Sequence, residues 1–448
     1  MTMKSLLLGA AAGIAAIGAA QAADLPMTKG EAVEYVKVCS TFGPGFFYIP
    51  GSDTCLKIGG EIRADYRVFG GDTPVAGLRS TSFNRNDNRS AFGTQGRIWF
   101  DARTQTDWGL LRSYFQINAS GRTASRTGLG STNSFQVDKA FIQFGGLTAG
   151  YAHSFFGFYD NEYGDTIWAP YYAESNTVNL LAYTAQFGGG FSATLSIEDG
   201  RDHREDGLDG VFVGLGGAPL AYVPGGQQVP DIVGQLRYDA DWGSLAVQAA
   251  GHQTRSGDII GANGVPLPPG GGGIPHENKY GFAAGGTVLI KLPFIDSGHF
   301  IVEGQYADGA LDYLGANNTV LGTSDVFFTG PTAVAARAER GKGWSIVGEL
   351  GGNITPVLNA NLVASYIDTQ YNRAVLAPAG GFQDYKIQEF TVAGNLTYTI
   401  VKGLTIGGEV SYTRVEQKNV PNAVVAPTAL RDDQANIWQA GIRLKRTF

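Results

Sequence analysis

Between Asn436 and Phe448 the chain alternates with a period of two. Trp438, Ala440, Ile442, Leu444 and Phe448 share one parity, and Gln439, Arg443, Lys445 and Thr447 the other. That period puts the two sets on opposite faces of a β-strand. The same pattern runs from Leu56 to Val68, where Leu56, Ile58, Ile62, Ala64, Tyr66 and Val68 alternate with Lys57, Glu61, Arg63, Asp65 and Arg67. In a water-soluble sheet the apolar set would pack a core. In a barrel embedded in lipid it faces the hydrocarbon, and the polar set lines a lumen. An aromatic residue closing the last strand favours the second reading. It predicts that Ile62 and Phe100 face lipid, and that Glu61 and Arg97 face the lumen.

Such segments are joined alternately by short turns and long polar loops. The turns fall at Asp107-Trp108-Gly109, Gly145-Gly146, Gly188 to Gly190, Asp241-Trp242-Gly243, Pro293 to Ser297, Asn353 to Pro356 and Val401-Lys402-Gly403. The loops run from Phe69 to Ser90, Gly121 to Ser134, His153 to Thr177, Gly200 to Pro230, Arg255 to Asn278, Gly309 to Arg340, Thr369 to Asp384 and Gln417 to Asp432. Eight long loops and seven short turns require sixteen strands with both chain ends on the short-turn side. That is the pattern of an all-β, antiparallel transmembrane barrel. The repeated Asp-Trp-Gly turn reads as hairpin geometry, with Trp at the membrane interface.

The amino terminus fits export. Lys4 is a positive n-region, Leu6 to Ile17 a short apolar run, and Ala20-Gln21-Ala22 a cleavage signal, so residues 1–22 read as a signal peptide and Ala23 as the mature start. Beyond it no apolar run reaches the eighteen or so residues of a spanning helix. Residues 23–448 read as one barrel domain. Charged residues make up 16% of the chain, well under the roughly 25% usual in soluble domains. A net charge of -7 argues against nucleic acid as a partner. Cys39 and Cys55 lie close together in a chain sent to an oxidising compartment, and neither has a C-x-x-C spacing or a nearby His. A structural disulfide in the 23–55 segment is expected.

Other motifs carry less. Asp199 to Asp209, with Arg201, His203 and Glu205, lacks the spacing of a calcium loop and reads as a hydrated external loop. Gly214-Leu-Gly-Gly217 precedes no helix pattern. His153, His203, His252, His276 and His299 show no i, i+4 pairing and no H-E-x-x-H. No nucleophile has a recognisable local signature. No catalytic, cofactor-binding or metal site is therefore expected.

Val36-Lys-Val-Cys39, Gly43-Pro-Gly-Phe-Phe-Tyr-Ile-Pro-Gly51 and Thr54-Cys-Leu-Lys-Ile-Gly-Gly60 resemble the general porins of alphaproteobacteria, both cysteines included. Tyr163 to Tyr172 resembles the third loop of that family. The resemblance implies a homotrimer of sixteen-stranded barrels in outer-membrane lipid and lipopolysaccharide, each an aqueous channel for small hydrophilic solutes and ions. A barrel of this size is too wide for wall side chains to fill, and these porins narrow it with a loop folded inward. The candidate is His153 to Thr177, which carries Asp160, Glu162, Asp165 and Glu174 and no Lys or Arg. Arg63, Arg67, Arg97, Arg103 and Arg112 fall on lumen parity. An acidic loop facing a basic wall sets up a transverse field and a weak cation preference. Should that loop not form the bottleneck, Gly309 to Arg340 is next in line. A sugar- or anion-specific channel of the same fold is the main alternative. A barrel enzyme and a secreted carbohydrate-binding β protein are the competing readings from other classes.

Overall fold

The computed structural model describes residues 37–83, 85, 87–122, 133–206, 221–260, 264–268, 274–329, 337–375, 382–422 and 426–448. The signal-peptide reading and the Gly214–Gly217 run lie outside the described residues. Sixteen antiparallel strands form the barrel: β1 (Cys55–Val75), β2 (Ser90–Thr106), β3 (Gly109–Arg122), β4 (Ser134–Phe144), β5 (Leu147–His153), β6 (Thr177–Gly188), β7 (Phe191–Glu198), β8 (Asp231–Ala240), β9 (Gly243–Arg255), β10 (Asn278–Lys291), β11 (Asp296–Asp308), β12 (Lys342–Thr355), β13 (Leu358–Val375), β14 (Phe382–Val401), β15 (Leu404–Asn422) and β16 (Ala426–Thr447).

Each strand pairs with its chain neighbour, and β16 returns to β1 over the register Glu61↔Thr447 to Gly71↔Ile437. Phe448 completes the seam, its N–H donating to Gly60 O at 3.0 Å and its carbonyl accepting from Gly60 N at 3.1 Å. Closure leaves no unpaired edge, which hydrocarbon would not tolerate. The first loop is more regular than its composition suggests, because β1 runs on to Val75 and folds back as a hairpin with Leu78–Ser82. The eighth is likewise almost all strand, with Val420 still paired to Arg431.

The parity reading holds along the wall. Ile58, Ile62, Tyr66 and Val68 are exposed on the outer face of β1, as are Trp438, Ile442, Leu444 and Phe448 at the carboxyl end. Trp108 and Trp242 stand exposed at their turns, where an aromatic girdle belongs. Leu396, 53% exposed, lies on the lipid face, while Thr397 beside it lines a lumen cavity. Leu396→Arg should cost roughly 2–4 kcal/mol near the bilayer midplane, and Thr397→Arg clearly less. Folding titrations in lipid vesicles check the order, and a reversed order contradicts the face assignment.

Cys39 and Cys55 are bonded, with Cα atoms 5.9 Å apart, and bury Phe46 between them and the start of β1. Closing the intervening 16-residue separation stabilises by roughly 3 kcal/mol on the chain-entropy model. Cys39→Ser with Cys55→Ser should lower the assembly yield and leave conductance of the assembled protein unchanged, as the bridge sits at the base of the first strand. Unreduced peptide mapping and bilayer recording check both halves.

Among the described residues, two segments fold into the barrel. One is the third long loop, loop 3. The other comprises residues 309–329 and 337–340 of the Gly309 to Arg340 stretch, which the sequence presents as an external loop. Its 3-10 turns at Leu311–Leu314 and Ala316–Asn318, and Phe327 and Phe328 of a short hairpin, pack with Phe156 and Tyr172 of loop 3. Gly315 lies against Ala173 of loop 3, in a left-handed conformation (φ 72°) where a Cβ would stand 2.8 Å from the Ala173 carbonyl carbon. Only glycine fits there without displacing loop 3.

The Asp199–Asp209 stretch is exposed at Arg201, Asp202 and Asp206, as expected, but not throughout. His203 is fully buried, not hydrated, and its ring nitrogens donate to Glu198 at 2.8 Å and Asp312 at 3.0 Å. Burial disfavours charge on that ring, but the two carboxylates hold it well above its usual pKa. Glu205, also buried, accepts from Thr323 at 2.8 Å. Asp209 lies outside the described residues.

Candidate functional site

Loop 3, residues 154–176, leaves the wall after β5 and returns at β6, its neck closed by the Ser154 N–H donating to Asn176 O at 3.0 Å. A single helical turn, α1 (Tyr159–Glu162), follows. The remainder has no secondary structure to satisfy its amides, and in a partly dehydrated lumen each unpaired N–H is costly. Wall carboxylates take that role. Glu409 of β15 accepts from Ile167 N at 2.5 Å and from Trp168 N and Ala169 N at 2.8 Å each. Glu349 of β12 accepts from Tyr159 OH at 2.7 Å and Asp165 N at 3.1 Å. Glu389 of β14 accepts from Tyr172 OH at 2.9 Å, and Glu303 of β11 from Tyr159 N at 3.3 Å. Trp168 Nε1 donates to Asp65 of β1 at 3.1 Å, and its ring lies under Arg443 at 5.0 Å and Arg67 at 5.5 Å. The loop thus spans the lumen from β5 to the β11–β16 and β1 wall.

The acids expected on the loop go to different places. Asp160 pairs with His153 at 2.7 Å, and Glu162 with Arg237 of β8, a residue the sequence reading did not single out. Asp165 sits beside Glu349 and His299; the packed loop and wall desolvate its carboxyl although one side stays open to the lumen, and this desolvation, and then the Glu349 charge, raise its pKa. Glu174 does not line the lumen. It is 2% exposed, behind the loop, and burial pushes its carboxyl up to about 8, so it adds little negative charge at neutral pH.

The arginines do stand on the lumen face, each with wall partners. Arg103 and Arg112 both fork onto Asp101, at 2.7–3.0 Å. Arg97 bonds Asn118 at 2.8 Å and lies 3.7 Å from Glu61 and 3.8 Å from Asp138. Arg67 bonds Gln439, and Arg63 lies among Glu61, Asp65, Arg97 and Arg443.

Open space remains on two sides of the loop. A cavity of about 580 Å³ is lined by Arg112, Lys139, Glu162, Arg237 and the rings of Tyr114, Phe141 and Phe158. Another, of about 350 Å³, is lined by Asp165, Asn361, Asn395, Arg443 and Lys445. The structure thus brings Glu162 and Arg112 to one cavity, and puts Asp165 opposite Arg443 and Lys445, not opposite the arginines of the first strands. Glu303, Glu349, Glu389 and Glu409 were missed by sequence reasoning. Their signal was a lone glutamate at lumen parity in each of four late strands.

Known proteins resemble this chain in sequence and in fold. A model of the Porin subfamily matches residues 24–441. Porin Omp2b of Brucella abortus (strain 2308) is 35% identical over 464 aligned positions that cover all of both chains. Its counterpart in Brucella melitensis is 34% identical over the same span. In fold, the outer membrane channel DcaP of Acinetobacter baumannii superposes with a TM-score of 0.56 at 14% identity, covering 90% of this chain and 99% of that one. With such identity running end to end on a closed barrel, the chain belongs to the porin subfamily, and its polar lumen is a general diffusion channel through the bacterial outer membrane.

Proposed function

We propose that loop 3 sets the narrowest cross-section of this channel and that the charges around it set a weak ion selectivity. The observation that carries the reading is the cavity shared by Glu162 of the loop and Arg112 of the wall. Opposite charges across a water-filled gap orient dipolar solutes and penalise apolar ones. Glu162 faces Arg112 and Arg237, Asp165 faces Arg443 and Lys445, Asp160 adds acidic charge on the loop, and Arg63, Arg67, Arg97 and Arg103 add positive charge along the wall. Most of these groups already have a partner of opposite charge, so the net bias is small, and the net charge of -7 tilts it toward cations.

Reversal potentials across a salt gradient test this assignment. Neutralising Asp160, Glu162 and Asp165 together should move the potential toward anion preference, and Arg97→Gln with Arg112→Gln should move it the other way. Both shifts should shrink as salt shortens the Debye length from roughly 10 Å at 0.1 M to 3 Å at 1 M. Strong anion selectivity of the unaltered channel would overturn the reading in favour of a specific anion channel.

The function needs no catalytic step. Membership of a family of channels supports transport over an enzyme. Family membership supports a homotrimer seated in lipid and lipopolysaccharide, with residues 1–22 removed on export. Mobility of unheated and heated protein in detergent gels tests the trimer.

A further inference from the structure

Holding loop 3 does not account for one recess in the wall beneath it. His299 of β11 is paired with Gly351 of β12, and Gly351 with Asn361 of β13. Glu349 lies two residues before Gly351, on the same inward parity, and Asp165 of loop 3 hangs above. One donor atom from each of Asp165, His299 and Glu349 lies within 4.8 Å of the others. His299 Nδ1 donates to the Ser297 carbonyl at 3.2 Å, so in the neutral ring Nε2 carries a lone pair. That lone pair faces Glu349 Oε1 at 2.8 Å, another acceptor, and the two need a proton or a cation between them.

Asn361 adds an independent observation. Its amide nitrogen donates to Asn359 Oδ1 at 2.8 Å and Asn395 Oδ1 at 3.1 Å, which prevents the amide from flipping. Its oxygen is left without a partner on a residue only 7% exposed. That oxygen points into the space over Gly351. A Cβ there would lie 2.8 Å from His299 Nε2 and closer still to Asn361 Oδ1. The missing side chain opens a recess on which an imidazole nitrogen, an amide oxygen and two carboxylates converge.

We propose that this recess binds one divalent transition-metal cation of the Zn²⁺ class, through His299 Nε2, the Glu349 and Asp165 carboxylates and Asn361 Oδ1. Tetrahedral Zn²⁺ places its ligand atoms roughly 3.3 Å apart, within reach of this cluster after small side-chain shifts. One imidazole among oxygen donors suits Zn²⁺ better than soft Cu(I), and Mg²⁺ prefers to keep its waters. Asp165 is exposed to the lumen, so the ion enters from the channel. Because Asp165 belongs to the loop and the other ligands to the wall, the metal pins loop 3 to β11–β13. Binding is independent of where the bottleneck lies; only its effect on current rests on loop 3 being the constriction.

The test uses folded, chelator-stripped protein titrated with Zn²⁺ by calorimetry and with Co²⁺ by visible absorption. One saturable Zn²⁺ per chain is expected, with Ca²⁺ and Mg²⁺ failing to compete at equal concentration. H299A should weaken binding at least tenfold. G351A retains every donor but fills the recess, and should weaken it comparably, while H276A, at an exposed histidine–carboxylate pair, should leave it unchanged. Unheated gel mobility and open-channel conductance report an intact barrel, so a lost metal site is distinguished from a lost channel. No saturable Zn²⁺, or a site that survives H299A and G351A and disappears in H153A, overturns the proposal. Should the variants misfold, Zn-edge anomalous diffraction from Zn²⁺-soaked crystals of the unaltered protein decides. A peak between His299 and Asp165 supports the site, and a peak elsewhere or none contradicts it.

Discussion

Deleting residues 158–172 should raise single-channel conductance roughly twofold or more and admit larger sugars, because it removes the backbone that crosses the lumen. The barrel itself should survive. Its ladders run strand to strand without the loop, and closure rests on β1 and β16. A second effect follows from how the loop is held. Glu409 would lose its three loop amides and Glu303, Glu349 and Glu389 their loop donors, while Glu389 keeps Val320 N and Leu321 N, Glu303 keeps the Thr287 hydroxyl and Glu349 keeps His299. The same deletion removes Asp160, Glu162 and Asp165, so the loss of these acids offsets the newly exposed wall carboxylates, and conductance should rise with little change in selectivity. If conductance and size limit both stay unchanged, the bottleneck lies elsewhere, with Gly309 to Arg340 the next segment to shorten.

Glu409→Ala should undock the loop without unfolding the barrel. The carboxylate accepts from three consecutive amides, Ile167, Trp168 and Ala169, a concave arrangement suited to an anion. Removing it leaves those donors to whatever water enters, at a cost of about 1–3 kcal/mol in loop docking. Undocked loop should become roughly ten- to a hundredfold more populated, on 1.4 kcal/mol per factor of ten. Faster hydrogen exchange at those three amides and flickering channel current are the readouts, with the thermal midpoint of the barrel unchanged. Glu409→Gln retains one acceptor oxygen and should lie between the two. Exchange rates identical to the unaltered protein would show that packing of Tyr172 against Leu311, Leu314 and Phe328 holds the loop by itself.

The barrel was legible because its signal is local and repeated. Period-two alternation at Leu56 to Val68 and Trp438 to Phe448 fixes which face meets lipid, and short turns such as Asp241-Trp242-Gly243 fix where strands reverse. Loop 3 was legible in position, between β5 and β6, but not in its contacts. Glu162 finds Arg237 and Asp160 finds His153 across distances in the fold that no spacing encodes. Parity names the face of Arg97 or Glu409 but not its height in the barrel. Charge also misled at two places. Glu174 and His203 look solvent-loving in sequence, yet both are buried because Leu311, Tyr313 and Leu314 fold in and exclude water around them. An inward second segment leaves no periodic mark, since its regular structure comes as 3-10 turns and strands of three or four residues, too short to show a period.

Swelling of proteoliposomes in a graded series of uncharged sugars decides whether the pore is passive. A passive aqueous channel predicts uptake rates that fall smoothly with sugar size and rise in proportion to concentration, without saturation. Saturation with one sugar, or a rate order that ignores size, would contradict the account and identify a channel built around a specific binding site.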